Sequence, residues 1–265
     1  MYRLPRCSLL ALDAYGTIYS PREPLDVQYN RIAANRNGEE MSATEFNGRF
    51  KQSFKKVWAE FPNYGKSQHL SIQTFWHKVL CDLYHGDQPF IDDIIRHFGT
   101  RRAFRVFDDV EPFLGQLKRA GVRPLVASNA DKRVFNLLAN EFALDRFVSN
   151  EDIFLSYDLE VSKPDIKFFQ LMLQKVQRRG AINPQEAWHV GDDLKNDIES
   201  ALKAGWGAIL VDRDRTSGFL RNMETARQLG EKFYVVSSLL AIEQVLSFTT
   251  ASTHSNQSEQ PARWQ

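Results

Sequence analysis

Between Val110 and Leu246, short apolar runs alternate with segments of helical period, and no other feature constrains the fold as strongly. A helix over Val110–Ala120 is stopped by Gly121. Val122–Ala127 reads as a strand, Lys132–Phe142 as a helix and Phe147-Val148 as a short strand. Asp165–Gln177 is a helix after Lys163-Pro164. Ala187–Val190 is a strand, Leu194–Ala204 a helix stopped by Gly205, and Ala208–Val211 a strand. Tyr234-Val235-Val236 and a helix over Leu239–Leu246 close the series, and Leu9–Leu12 is an earlier buried strand ending at Asp13. Strands separated by helices predict a parallel, doubly wound sheet, so the expected class is α/β with a Rossmann-like core.

Residues from Leu25 to about Arg105 break this alternation. Four apolar stripes recur there at helical spacing, on Leu25/Tyr29/Ile32/Ala33, on Phe46 through Phe61, on Ile72 through Leu83 and on Ile91 through Phe98. Ser42-Ala43-Thr44-Glu45 has the pattern of a capping box before the second stripe. The expectation is an all-helical insertion over residues 21–105 in a core made of residues 1–20 and 106–248, with a disordered polar tail over 249–265. The aromatic stripes read first as packing. Tyr64, Trp58 and Trp76 could also line a substrate space.

Composition narrows the function classes. A formal net charge of +1 over 265 residues provides no field for nucleic acid or an anionic membrane. Arg101-Arg102 and Arg178-Arg179 are too short to act as a footprint. No apolar run reaches the ~18 residues that a membrane span needs. Cys7 and Cys81 are far apart and in no metal spacing, which predicts free thiols and a reducing compartment. The expected location is the cytoplasm. Arg3 and Arg6, with no acid before Asp13, leave a mitochondrial alternative.

Four chemically distinctive residues fall at or near the predicted carboxyl ends of strands: Asp13, Ser128, Lys163 (in a loop leading into a helix) and Asp192. That edge of an open α/β sheet is where ligands bind. A carboxylate at Asp13 can attack an electrophilic centre and form a covalent intermediate. Ser128 and Lys163 can hold anionic oxygens, and Asp192 can share Mg²⁺ with Asp13. Thr17 can donate to the transferred group, and Gly16 lets the chain turn sharply. Taken singly, these residues have ordinary explanations. Asp192 or Asp193 reads as a helix N-cap, Lys163 as a surface lysine and Ser128 as a turn residue. Their order and joint placement favour a site.

Those segments resemble the motifs of the haloacid dehalogenase (HAD) superfamily. LLALDAYGT, from Leu9 to Thr17, resembles the first motif. LVASN, closing on Ser128-Asn129, resembles the second, Ser162-Lys163-Pro164 the third, and VGDDLKND, residues 190–197, the phosphatase-type fourth. The resemblance covers Leu9 to Leu246 and places the insertion where the superfamily carries a helical cap. It implies that Asp13 is the nucleophile, that Thr17, Ser128 and Asn129 contact the transferred group, and that Lys163 steadies it. It further implies that Asp13, Asp192 and the Tyr15 carbonyl bind Mg²⁺, with Asp193 or Asp197 in support.

One position departs from the phosphatase pattern. Tyr15 stands where such phosphatases carry a second aspartate as acid and base. A phenol, with a reference pKa of about 10, serves poorly near neutral pH. Asp-Ala-Tyr-Gly-Thr instead resembles the first motif of haloacid dehalogenases, whose fourth motif differs from the one here. The REG-2-like, HAD-domain-containing-3 group also lacks the second aspartate and is the nearest likeness. The expected function is a Mg²⁺-dependent, phosphatase-like hydrolase of a small phosphorylated metabolite, with weakened acid–base catalysis. A catalytically impaired pseudoenzyme or binding protein is the second reading, and a metal-independent dehalogenase the third. The expected partner is a small-molecule substrate, and the chain is expected as a monomer or homodimer.

Overall fold

The computed structural model describes residues 4–180 and 182–248. The predicted disordered tail therefore lies outside the described residues. In chain order the elements are β1 (Arg6–Cys7), β2 (Leu9–Leu12), β3 (Tyr19–Pro21), α1 (Leu25–Ala34), α2 (Ala43–Glu60), α3 (Ile72–Leu83), α4 (Ile91–His97), β4 (Phe104–Val106), α5 (Val110–Arg119) and β5 (Pro124–Ser128). They continue with α6 (Arg133–Asn136), β6 (Ile153–Leu155), α7 (Ser156–Leu159), α8 (Lys167–Gln177), β7 (Ala187–Gly191), α9 (Ser200–Lys203), β8 (Gly207–Val211), β9 (Ala226–Gly230), β10 (Phe233–Val236) and β11 (Ser247–Phe248).

Seven strands form the central sheet in the order β6-β5-β2-β7-β8-β10-β9, parallel throughout except for the β9–β10 pair. Counted along the chain, the six parallel strands are ordered 3-2-1-4-5-6, which is the doubly wound arrangement. The order reverses at β2, so the residue after Leu12 emerges at the topological switch point. Period-two alternation divides β2 between two cores. Leu10 and Leu12 join the cluster that includes α5, whereas Leu9 and Ala11 join the cluster that includes α8.

Between β3 and β4 lie the four helices that the stripes predict. Ser42 Oγ accepts from the Glu45 N–H at 3.2 Å and starts α2, and Ser71 Oγ does the same for Thr74 at the start of α3. The all-helical expectation misses one feature. β3 and β4, at the two ends of that helical stretch, pair antiparallel as a two-stranded ribbon. Each strand has only three residues, too few for a periodic signal.

Other expectations change, among them the closing helix predicted over Leu239–Leu246, which is a 3-10 helix over Leu239–Gln244. Phe147-Val148 is a turn, because both amides donate locally to the Leu144 carbonyl, at 2.9 and 3.0 Å, and the sheet strand is Ile153–Leu155. The helices predicted over Lys132–Phe142 and Leu194–Ala204 are each part α-helix and part π-helical turn. β9 is a half-exposed polar edge strand, Ala-Arg-Gln-Leu-Gly, with no apolar alternation to reveal it. Among the described residues, no helix is long and apolar enough to cross a membrane.

Candidate active site

Three sheet strands deliver the site. Asp13 follows β2, and its amide donates to the Val190 carbonyl at 2.8 Å, which ties it to β7. Ser128 ends β5, and Asp192 follows β7. Lys163 arrives from the loop before α8 and is buried, not the surface lysine that its residue type alone suggests. Its ammonium donates to Asp13 Oδ1 at 2.7 Å, to the Ala127 carbonyl at 2.7 Å and to Asp197 Oδ1 at 2.5 Å. All three of its N–H groups are used, so the lysine is fully paired without a ligand.

The Asn129 side chain is engaged within the protein. Its amide oxygen accepts from the Lys163 backbone N–H at 2.8 Å, and its amide nitrogen donates to the Lys163 carbonyl at 2.7 Å. Both amide groups are spent clamping the lysine loop against β5. Thr17 is buried, and its hydroxyl leans on Asp192 Oδ1 at 3.4 Å. Asp193 serves as an N-cap, its Oδ1 accepting from the amides of Lys195 and Asn196 at 2.8 and 2.7 Å.

The structure brings Asp13, Asp192 and Asp197 together, with carboxylate oxygens within 4.8 Å of one another, and leaves Asp193 out of that cluster. An all-oxygen donor set suits a hard cation such as Mg²⁺. Asp197 is the least available of the three. Its Oδ1 holds Lys163 and His189, and its Oδ2 accepts from the Asp193 amide at 3.0 Å. Two glycines permit the crowding. Gly16 has φ +87°, and a Cβ there would overlap the Asp192 carboxylate; a Cβ on Gly191 would overlap Asp197.

The charges are unevenly balanced. Burial pushes the Asp13 carboxyl up to about 7, although Lys163 pulls the other way. Partial withdrawal from water, reinforced by the Asp197 charge, pushes Asp192 up to about 6. Burial would raise Asp197 too, but Lys163 and His189 outweigh it and hold that carboxyl below the usual range. The Lys163 ammonium is committed to Asp13 and Asp197, and among the described residues Asp192 has no such partner.

Sequence reasoning missed two supports. His189, one of the buried residues of β7, sits with Nε2 2.9 Å from Asp197 Oδ1. Burial keeps its imidazole below its ordinary value and neutral, so Nε2–H donates. Arg213, just past β8, donates to the Gly16 and Thr17 carbonyls at 3.1 and 2.9 Å and pairs with Asp109 at 2.9 Å. Neither residue lies in a recognisable motif; a polar residue inside an apolar strand was the available signal for His189.

Tyr15 is 46% exposed, and its ring meets Tyr19 and Phe104 edge-on. Burial of part of the ring and the Asp192 charge push its phenol above the ordinary value, so it stays protonated. Tyr15, Ser128 and Asn129 border a cavity of about 220 Å³ between the sheet edge and the inserted helices. Tyr64 and Trp76 line it; Trp58 is not part of its wall. Elsewhere, Cys81 is free as expected, yet the fold sets it beside His77 and Asp87, a grouping its sequence spacing did not suggest.

The haloacid dehalogenase-like hydrolase family matches residues 7–205. An uncharacterized protein of Saccharomyces cerevisiae is 30% identical over 84% of this chain and 77% of its own length. The human haloacid dehalogenase-like hydrolase domain-containing protein 3 is 28% identical over 77% of this chain and 81% of its own. A phosphoserine phosphatase of Thermus thermophilus is 24% identical over 77% and 88%. The fold is shared with a HAD phosphatase from Thermococcus onnurineus (TM-score 0.60, 18% identity, covering 90% of this chain and 97% of that one). It is also shared with a defluorinating L-2-haloacid dehalogenase (TM-score 0.65, 15% identity, 92% and 98%), so the fold does not choose between the two chemistries. On the family match and these relatives, the chain belongs to the haloacid dehalogenase-like hydrolases.

Proposed function

We propose that this protein is a Mg²⁺-dependent phosphohydrolase of a small phosphate ester, with Asp13 as nucleophile. One observation carries the reading: the Asp13 carboxylate sits 2.7 Å from a buried, fully paired lysine and within reach of a second carboxylate, Asp192. That pairing suits a cation-binding phosphatase better than a metal-independent dehalogenase. Asp13, Asp192 and the Tyr15 carbonyl would hold Mg²⁺, which when bound screens the anionic phosphoryl group from the nucleophile. The phosphatase relative supports the same class.

Asp13 attacks phosphorus, its oxygen forms an aspartyl phosphate, and the ester oxygen departs. Lys163 holds the attacking carboxylate in place. Ser128 borders the cavity where the transferred group enters. Water then attacks the aspartyl phosphate and frees inorganic phosphate. Tyr15 gives little help with either proton, and loss of acid–base catalysis typically costs about 10² to 10⁴-fold.

That deficit favours the second reading, a binding protein on the same scaffold. Turnover of 4-nitrophenyl phosphate with and without Mg²⁺, beside Asp13→Asn and Tyr15→Asp, separates the two. Mg²⁺-dependent turnover that Asp13→Asn abolishes supports the hydrolase. A silent wild type that gains activity in Tyr15→Asp supports the binding protein. Turnover that survives Asp13→Asn overturns both.

A further inference from the structure

The cavity above the site has an unusual wall. Eight of its nineteen lining residues are aromatic, among them Tyr19, Tyr64, Trp76 and Phe104. Its two charged residues cancel each other. Arg133 Nη2 pairs with Asp131 Oδ2 at 2.8 Å and its Nε with Asp131 Oδ1 at 3.0 Å. Trp76 Nε1 donates to the same Asp131 at 2.7 Å, and the Arg133 guanidinium lies over the Trp76 ring, 4.6 Å from its centre. The ion pair is therefore part of the packing, and the wall carries no net charge. The volume, about 220 Å³, exceeds the ~150 Å³ of an apolar cavity that takes up benzene. It is smaller than the roughly 300–1,000 Å³ of a drug-sized ligand site. One substituted ring fits.

The chemistry at Tyr15 points the same way by a separate route. Without an acid at that position, the ester oxygen must leave as an anion. An alkoxide is about as basic as hydroxide, the conjugate base of water at pKa 15.7, and leaves badly. A phenoxide is the conjugate base of a group of pKa about 10 and leaves far more readily.

We propose that the substrate is an aryl phosphate whose organic part is a single, uncharged aromatic ring bonded directly to the ester oxygen, seated among Tyr19, Tyr64, Trp76 and Phe104. This rests on the phosphohydrolase reading above. The Asp13 oxygen–phosphorus bond forms as the phosphorus–aryl-oxygen bond breaks, and the electron pair leaves on the phenoxide. Water then cleaves the aspartyl phosphate. The proton that water gives up balances the one the phenoxide takes, so the products are a phenol and hydrogen phosphate.

Two measurements test it. The first is calorimetric binding of phenyl phosphate and methyl phosphate to full-length Asp13→Asn in Mg²⁺, where no turnover intervenes. Phenyl phosphate is expected to bind at least tenfold tighter; equal affinity overturns the proposal whatever the enzyme hydrolyses. The second is wild-type kcat/KM on phenyl phosphate, O-phosphoserine and a fluorinated alkyl phosphate whose alcohol is as acidic as phenol. Phenyl phosphate is expected to exceed O-phosphoserine at least 100-fold and the fluorinated ester at least tenfold. The fluorinated ester turned over as fast as phenyl phosphate overturns aromatic recognition while leaving the phosphohydrolase standing, because a leaving group of equal basicity then suffices without a ring. No hydrolysis of any ester overturns the phosphohydrolase and the aryl substrate with it; the affinity ratio then still reports whether the cavity selects a ring.

Discussion

Lys163 and Asp197 form a buried ion pair, Nζ to Oδ1 at 2.5 Å, which couples the lysine loop to the turn after β7. The same Asp197 oxygen accepts from His189. Replacing Asp197 with Asn removes the charge and leaves the ammonium with Asp13 alone. Breaking a buried pair by removing one partner typically costs about 3–5 kcal/mol. Because one partner remains, the expected loss is at the lower end, roughly 3 kcal/mol. Urea unfolding of wild type and variant measures it, and an unchanged midpoint would show that the pair contributes no stability.

Gly16 lies against Asp192, where a Cβ would overlap the carboxylate. In Gly16→Ala the new methyl must displace the Asp192 carboxylate, and its backbone must keep φ +87°. The backbone strain costs about 1–2 kcal/mol. The larger effect falls on the site. Half-saturation by Mg²⁺ in the hydrolysis assay is expected to shift to at least tenfold higher concentration. A variant with wild-type Mg²⁺ dependence would place the cation away from Asp192.

Arg213 holds the Gly16 and Thr17 carbonyls while Asp109 holds Arg213, and Asp109 Oδ2 also accepts from the Leu239 amide at 2.8 Å. The first loop is thereby fixed to two other segments of the core. Residues that only orient a metal site typically contribute about 10 to 100-fold. Arg213→Ala is expected to lower kcat by that factor with little change in KM, read on the same aryl ester. A fall in KM affinity alone would assign Arg213 to substrate binding instead.

Cys81 is predicted to be sluggish toward alkylating reagents. Burial raises its thiol first, and its hydrogen bond to Asp87 and that residue's charge add to the effect, pushing it up to about 12. Only the thiolate reacts, so a raised value means a lower thiolate fraction at any pH below it. The iodoacetamide rate at pH 8 should be at least tenfold below that of a free thiol with its reference pKa near 8.5. Asp87→Asn should speed it, since it removes the charge opposing the thiolate. A fast wild-type rate that is flat above pH 8.5 would contradict the contact.

Much of the architecture was readable from residue order. The apolar strand ending at Asp13, the helix stops at Gly121 and Gly205, and the four stripes of the insertion are local patterns, set by backbone conformation and period, and the matching elements formed. The motif resemblance likewise led to the family. Local pattern failed where partners are remote. β3 and β4 are too short to show a period and exist because they pair with each other across the whole insertion. Nor does local pattern reveal that the Asn129 side-chain amide bonds the Lys163 backbone, thirty-four positions away, at both ends.

Residue order dictates which chemical groups reach the carboxyl edge of the sheet, because strand ends and turns are written in neighbouring residues. How those groups are spent depends on the assembled fold. Three carboxylates lie in one cluster, yet Asp197 is occupied by Lys163 and His189, while Asp193 caps a turn. Likewise, Arg133 and Asp131 neutralise each other two positions apart, but only Trp76, reaching them from α3, packs that pair into the cavity wall. The reason is physical: a side chain's charge and hydrogen-bonding capacity belong to the residue, but its desolvation and its partners depend on what the fold packs around it.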